Sequence, residues 1–203
     1  MSNLIKTRIE DLYILEPKVF ADSRGYFFES YNKKTLDDLV GKEYNFVQDN
    51  ESKSSYGVVR GLHFQLAPYS QAKLVRVLEG CVYDVAVDLR NDSPTFGEWA
   101  GAELSAENKR QFLIPKGFAH GFSVLSKTAV FTYKCDEYYH PEAEGGIIYN
   151  DPTLNIDWKI PEEKIVLSEK DKLLPKLENA EMNFRSPEIS VMKEVSILNV
   201  KGD

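Results

Sequence analysis

Gly61–Gly80 reads "GLHFQLAPYSQAKLVRVLEG", which sets His63 and Lys73 among the apolar residues of strands. Burying charge there without a partner is costly, so the pair asks for a chemical explanation. Histidine moves protons near neutral pH, its unperturbed pKa being about 6.5. Abstracting a proton beside a carbonyl needs such a base at the C–H. It also needs a positive or hydrogen-bond-donating group at the oxygen, where enolate charge develops. Lys73 can supply that second group. Inverting a stereocentre further requires an acid on the opposite face. Tyr133 in "FTYKCDEYY" is a candidate, because a phenol can donate a proton in a largely apolar site. Asp84 sits within an apolar strand and wants a partner, and His120 is the nearest logical one. These residue types permit proton transfer at carbon without singling it out. Taken alone, His63 equally suits a satisfied core histidine, and Lys73 a lysine reaching out from a strand edge. His140, before a proline in "YYHPEAE", is expected in an exposed turn.

The elements that must position these groups are mostly strands. Glycine and proline punctuate short runs rich in Val, Ile, Tyr, Phe and Thr. "CVYDVAVDL" is the clearest, with Cys81, Tyr83, Val85, Val87 and Leu89 on one face and Val82, Asp84, Ala86 and Asp88 on the other. It follows "AKLVRVLEG", and Glu79-Gly80 is the expected hairpin turn. Further strands are expected in "DLYILEPKVF", "RGYFFESY", "YNFVQDN", "GVVRGLHFQ", "FGEWAGAEL", "RQFLIP", "HGFSVLS" and "AVFTYKCDEYY". Such spacing predicts an antiparallel sandwich or barrel. "NKKTLDDLVG" is the best early helix, ending on a glycine. "PEEKIVLSEKDKLLPKL" suits short helical turns rather than core strands. Asp88 and Arg90 are expected to form a structural pair near a strand end. The tail "SPEISVMKEVSILNVKGD" reads as an appended strand or a loose end.

Composition narrows the function classes. The 203 residues are most simply one domain, with 42% hydrophobic and 28% charged residues as in soluble globular proteins. A net charge of -7 argues against binding a nucleic-acid polymer, which usually needs a basic face. A single nucleotide remains compatible, since a few local Arg and Lys residues can hold two phosphates. Cys81 and Cys135 make neither a disulfide framework nor a metal-ligand pair, and they are expected to be inert strand residues. The charged N-terminus does not read as a signal peptide, and no run suits a bilayer span. A cytoplasmic protein without membrane association is the expectation.

Pro115, Gly117 and His120 in "PKGFAH" give the spacing P-x-G-x-x-H, which resembles the second motif of the cupin superfamily. That resemblance implies a small β-barrel whose mouth often carries a metal. Metal-binding cupins usually supply two histidines and a carboxylate from their first motif. Here that position reads His63-Phe64-Gln65, and the segment after it offers Lys73 where a carboxylate is expected. Two histidines beside a cation make a poor metal site, so no metal is expected.

A longer set of motifs in order carries a closer resemblance. They are "FADSRGYFFESYN", "VQDNESKSSYGVVRGLHFQ", "PYSQAKLVRVLEGCVYDVAVDLRNDSPTFGEW", "LSAENKRQFLIPKGFAHGFSVLS", "YKCDEYYHPEAEGGIIYNDP" and "LSEKDKLLP". On these the chain resembles the dTDP-4-dehydrorhamnose 3,5-epimerase family over about residues 9–175. The resemblance implies a mainly β, cupin-type double-stranded β-helix (a jelly-roll barrel) with short flanking helices. One domain would span residues 1–185, with a tail, 186–203, outside the resemblance. It implies cofactor-free chemistry on a dTDP-linked 4-keto-6-deoxy sugar through an enolate. Carried over by position, His63 corresponds to the base, Asp171 to the carboxylate that pairs with it, Lys73 to the cation near the C4 oxygen, and Tyr133 to the opposite acid. His120 lines the pocket and supports binding, with Asp84 as its partner. Gln48, Asn50 and Arg60 match residues that contact the sugar nucleotide, and Tyr139 and Lys170 fall in motifs that touch the nucleotide or its phosphates. Arg24, Phe27 and Glu29 match a segment that reaches a neighbouring subunit's site, which implies a homodimer with exchanged N-terminal strands. Glu144–Gly146 is richer in glycine than usual, so a loosened loop is expected there. Motif matching leaves open a 3- or 5-monoepimerase, another nucleotide base, or a non-catalytic sugar-nucleotide-binding cupin.

Overall fold

The computed structural model describes residues 3–186. The tail expectation therefore falls, past Ser186, outside the described residues. In chain order the strands are β1 (Asn3–Lys6), β2 (Tyr13–Glu16), β3 (Phe20–Asp22), β4 (Gly25–Phe27), β5 (Gln48–Ser55), β6 (Val59–Gln65) and β7 (Lys73–Glu79). They continue as β8 (Cys81–Asp88), β9 (Trp99–Ser105), β10 (Gln111–Ile114), β11 (Phe118–Val124), β12 (Thr128–Cys135) and β13 (Glu144–Gly146). One sheet runs β1-β2-β10-β7-β12-β5 and the other β13-β6-β11-β8-β9, with β3-β4 as a separate hairpin. Neighbouring strands in both sheets run antiparallel. Two facing antiparallel sheets with these crossovers form a jelly-roll barrel of the cupin type.

Alternation along β8 explains how the barrel is filled. Val82 and Ala86 join Val75, Val77, Phe112, Phe122 and Phe131 in the core between the sheets. Tyr83, Val85, Val87 and Leu89 face the other way, against Leu154, Trp158, Leu177 and Phe184. The segment after β13 thus covers the outside of the five-stranded sheet, which is why both faces of β8 are apolar. Short helical turns at Glu162–Lys164, Asp171–Leu173 and Leu177–Asn179 hold this cover, as expected from its composition. Helix α1 (Lys33–Val40) is capped by the Asn32 side chain and ends at Gly41. Its Leu36 packs with Leu15, Tyr44, Leu74 and Leu113 outside the six-stranded sheet.

Three local expectations need correction. Glu79-Gly80 is not a hairpin turn, because β7 pairs with β10 and β12 while β8 pairs with β11 and β9. The chain crosses there from one sheet to the other. Glu144–Gly146 is not a loosened loop but strand β13, paired residue for residue with Gln65, Phe64 and His63. A Cβ on Gly145 would lie 2.4 Å from the Phe64 ring, and one on Gly146 would lie 2.6 Å from the Leu62 carbonyl oxygen. These glycines permit close packing. His140 is half-buried, with its ring stacked on Tyr69 at 3.7 Å. Asp88 and Arg90 do pair at the end of β8, at 2.7 Å.

Candidate active site

A bulge in β6 builds the first wall. Val59, Leu62 and Phe64 pack into the outer cluster, whereas Arg60 and His63 line the cavity inside the barrel. Residues three apart lie on opposite faces of a regular strand. The extra residue here is Gly61, at φ 112°, and the pairing with β11 slips between His120 and Phe122. A Cβ on Gly61 would sit 2.6 Å from the His120 carbonyl oxygen and 2.7 Å from the Gly121 Cα. Only glycine fits, and with it Arg60 and His63 share the lumen.

His63 lies opposite His120 in register, and each ring has its own carboxylate. His63 Nε2 is 2.6 Å from Asp171 Oδ1. Asp171 is buried at the start of its helical turn. Burial pushes its carboxyl up, but the hydrogen bond and charge of His63 outweigh this, helped by the Ser168 hydroxyl and the Gly61 N–H, and hold it below the usual carboxylate range. With Nε2 engaged, Nδ1 is left without a hydrogen bond among the described residues. His120 Nε2 is 3.0 Å from both oxygens of the fully buried Asp84. Burial raises the Asp84 carboxyl, opposed by His120 and Lys73.

The six-stranded sheet supplies the facing wall in cross-strand rows. Lys73, Cys135 and Gln48 form one row, and Val75, Tyr133 and Asn50 form the next one on the same face. Lys73 is therefore interior to the sheet rather than at an edge. Burial pushes its ammonium below the ordinary lysine range, against the nearby Cys135, Asp84 and Glu144. Its Nζ is 5.8 Å from the centre of the Tyr133 ring, whose phenol is raised, chiefly by burial. Phe122 and Phe131 stack at 4.2 Å as a floor. Between the walls lies a cavity of about 320 Å³, lined by Asn50, Arg60, His63, Lys73, His120 and Tyr133 among others.

The rim extends the site. Gln48 Nε2 donates to Asn50 Oδ1 at 3.0 Å, and Gln48 Oε1 accepts from the Tyr139 N–H at 3.1 Å. Tyr139 Oη and Lys170 Nζ converge on Glu144 Oε2 at 2.8 and 2.6 Å. Burial would raise Glu144, but these two donors hold it low. Glu144 is absent from the residues the sequence singles out; its only signal is an acid beside two glycines in a strand partner of His63. Arg24, Phe27 and Glu29 do not line the cavity. Arg24 pairs with Asp22 at 2.6 Å, Phe27 is 69% exposed, and Glu29 accepts from Asn32 and Thr35 at the start of α1.

No group of three or more His, Cys, Asp or Glu residues placed to hold a metal occurs among the described residues. No helix there is long and apolar enough to cross a membrane. A cupin-type barrel with two His–Asp pairs, a lysine and a tyrosine around one cavity carries the groups that acid–base chemistry requires. The dTDP-4-dehydrorhamnose 3,5-epimerase family model matches residues 6–179. The Shigella flexneri dTDP-4-dehydrorhamnose 3,5-epimerase is 57% identical over 83% of this chain and 92% of its own length. The crystal structure of the Elizabethkingia anophelis dTDP-4-dehydrorhamnose 3,5-epimerase is 60% identical, with a TM-score of 0.84 over 87% of this chain and 97% of that one. A Legionella pneumophila dTDP-6-deoxy-D-glucose-3,5-epimerase in complex with dTDP-4-keto-L-rhamnose is 52% identical, with a TM-score of 0.88 over 92% of this chain and 100% of that one. The chain belongs to the dTDP-4-dehydrorhamnose 3,5-epimerase family.

Proposed function

We propose that this chain inverts C3 and C5 of a dTDP-linked 4-keto-6-deoxyglucose, giving dTDP-4-keto-L-rhamnose on the route to a deoxysugar. The observation that carries the reading is the His63–Asp171 pair facing Lys73 and Tyr133 across one cavity. His63 Nδ1 takes the proton from carbon, and Asp171 stabilises the imidazolium. The electron pair moves onto the C4 oxygen, where the Lys73 ammonium meets the enolate charge. Tyr133 returns a proton from the other face and is left as a phenolate; His63 gives its proton to solvent and Tyr133 takes one back, and the reset pair serves the second carbon. Arg60 suits phosphate oxygens through its planar fork, while Gln48, Asn50 and His120 contact the sugar nucleotide. Asp84 fixes His120. Tyr139 and Lys170, which converge on Glu144 at the rim, meet the nucleotide or its phosphates in this reading.

Incubation with the 4-keto sugar in deuterated water tests this. Deuterium at both carbons with inverted product is expected. Label at one carbon alone would make the chain a monoepimerase, and no label at either would leave only a binding role.

The chain also acts as a homodimer in this reading. The β3–β4 hairpin exposes Phe20, Tyr26 and Phe27, and its Arg24 lies outside its own cavity. Exchange of N-terminal strands would bury those rings and bring Arg24, Phe27 and Glu29 to the neighbour's site. Light scattering is expected to return twice the chain mass; a monomer at assay concentration would remove this part of the reading.

A further inference from the structure

Gln65 stands two residues beyond His63 on β6, on the same side of the strand, and is 4% exposed. Its Nε2 donates to the carbonyl oxygens of Tyr69 at 2.7 Å and Tyr138 at 3.1 Å. Its Oε1 accepts from the His140 N–H at 2.7 Å. These partners lie on two separate loops, one joining β6 to β7 and one following β12. Gln71 adds a second tie, donating to the carbonyls of Glu137 at 2.8 Å and Tyr138 at 3.3 Å. The stacked rings of Tyr69 and His140 close the same junction. Beyond it the second loop presents Tyr138 and Tyr139, and Tyr139 is bonded to Gln48 and Glu144 at the rim.

One carboxamide therefore fixes both loops relative to the strand that carries the base. Two donors and an acceptor on one short side chain are what this junction uses. A carboxylate has no donor, and an imidazole has only two nitrogens. Glutamine at the place where a metal-binding cupin would carry its second histidine thus has a role of its own.

We propose that Gln65 is a positioning residue that sets nucleotide affinity by holding the rim loops, and that it takes no part in proton transfer; this rests on the sugar-nucleotide reading above. Gln65→Glu keeps the shape and removes both donors. Losing buried hydrogen bonds of this kind is expected to raise the dTDP dissociation constant and the KM for the 4-keto sugar together by about tenfold. kcat for deuterium uptake is expected to stay within about twofold of the parent. Lowering the pH should shrink the affinity defect, because the carboxyl group of the Gln65→Glu variant regains one donor once it is protonated.

A fall in kcat with unchanged dTDP affinity would overturn the proposal, as would no change in either. If Gln65→Glu fails to fold, Gln71→Leu serves instead, with an expected loss of dTDP affinity of about threefold; unchanged affinity in that variant would equally overturn it. A parent that binds dTDP but takes up no deuterium would refute the epimerase reading while leaving the affinity comparison valid.

Discussion

Replacing His63 with alanine is expected to lower deuterium uptake at C3 and C5 by about a thousandfold or more, within the range of general-base contributions. No neighbour can substitute. The His120 ring is committed to Asp84 through Nε2, and it stands one strand further across the sheet. Asp171 sits behind the His63 ring, bonded to Nε2 at 2.6 Å, and does not line the cavity, so its carboxylate does not reach the carbon that Nδ1 meets. The substitution also has a stability signature. Asp171 titrates below its unfolded value, so its pairing stabilises the fold at neutral pH, and that contribution is lost as pH falls through the folded value. Removing His63 deletes the largest influence opposing burial and leaves a buried carboxylate with only the Ser168 and Gly61 donors. A cost of about 1–3 kcal/mol at pH 7 is expected, with a flatter acid limb in thermal unfolding. Retained dTDP binding by His63→Ala, together with partial recovery by added imidazole, would separate a lost base from a collapsed cavity. A folded variant that exchanges within tenfold of the parent would sink the assignment.

The strands were legible because alternation in β8 and the glycine-punctuated runs around it are local properties. Which strands pair is not local. A glycine turn at Gly80 looks alike whether it folds a hairpin or carries the chain between two sheets, and only the long-range register decides. Strand β13 has no β propensity in "EGG"; it exists because β6 offers an open edge and because side-chain-free residues admit the Phe64 ring. The site divides in the same way. Lys73 and Asp84 stand out as charges among apolar neighbours, and Asp84 with His120 follows from the demand for a partner. His63 and Asp171 lie 108 residues apart, and no pattern of spacing joins them; the order of family motifs does. Gln65 shows in the sequence only as a missing histidine and Glu144 only as part of an expected loop; what each holds becomes visible once the loops around it are placed.

Lys73→Met is expected to lower exchange by about 10²–10³-fold, as loss of a preorganised charge at a developing oxyanion does, while dTDP affinity stays close to the parent's. The same variant is expected to be more stable. Lys73 is half-buried in the cavity wall, and desolvation there has pushed its ammonium below the ordinary range, so the folded state is penalised for keeping it charged. The sign follows from proton binding. Between the folded and unfolded values the unfolded chain holds more protons, so parent stability rises with pH across that window and is lowest below it. Methionine of similar length removes the penalty, and a gain of about 1 kcal/mol at pH 7 is expected. Part of the gain is cancelled at Asp84, because Lys73 helps to hold that carboxyl down against its burial; without the cation, Asp84 rises further and binds a proton more readily. The depressed lysine also predicts that parent kcat falls at lower alkaline pH than an ordinary lysine would allow, as the ammonium beside the C4 oxygen is neutralised. Stability against pH for both proteins, with kcat against pH for the parent, checks both expectations. A destabilised Lys73→Met protein, or a parent rate that holds through the ordinary lysine range, would show that this cation is a structural group rather than one kept at a cost for the enolate.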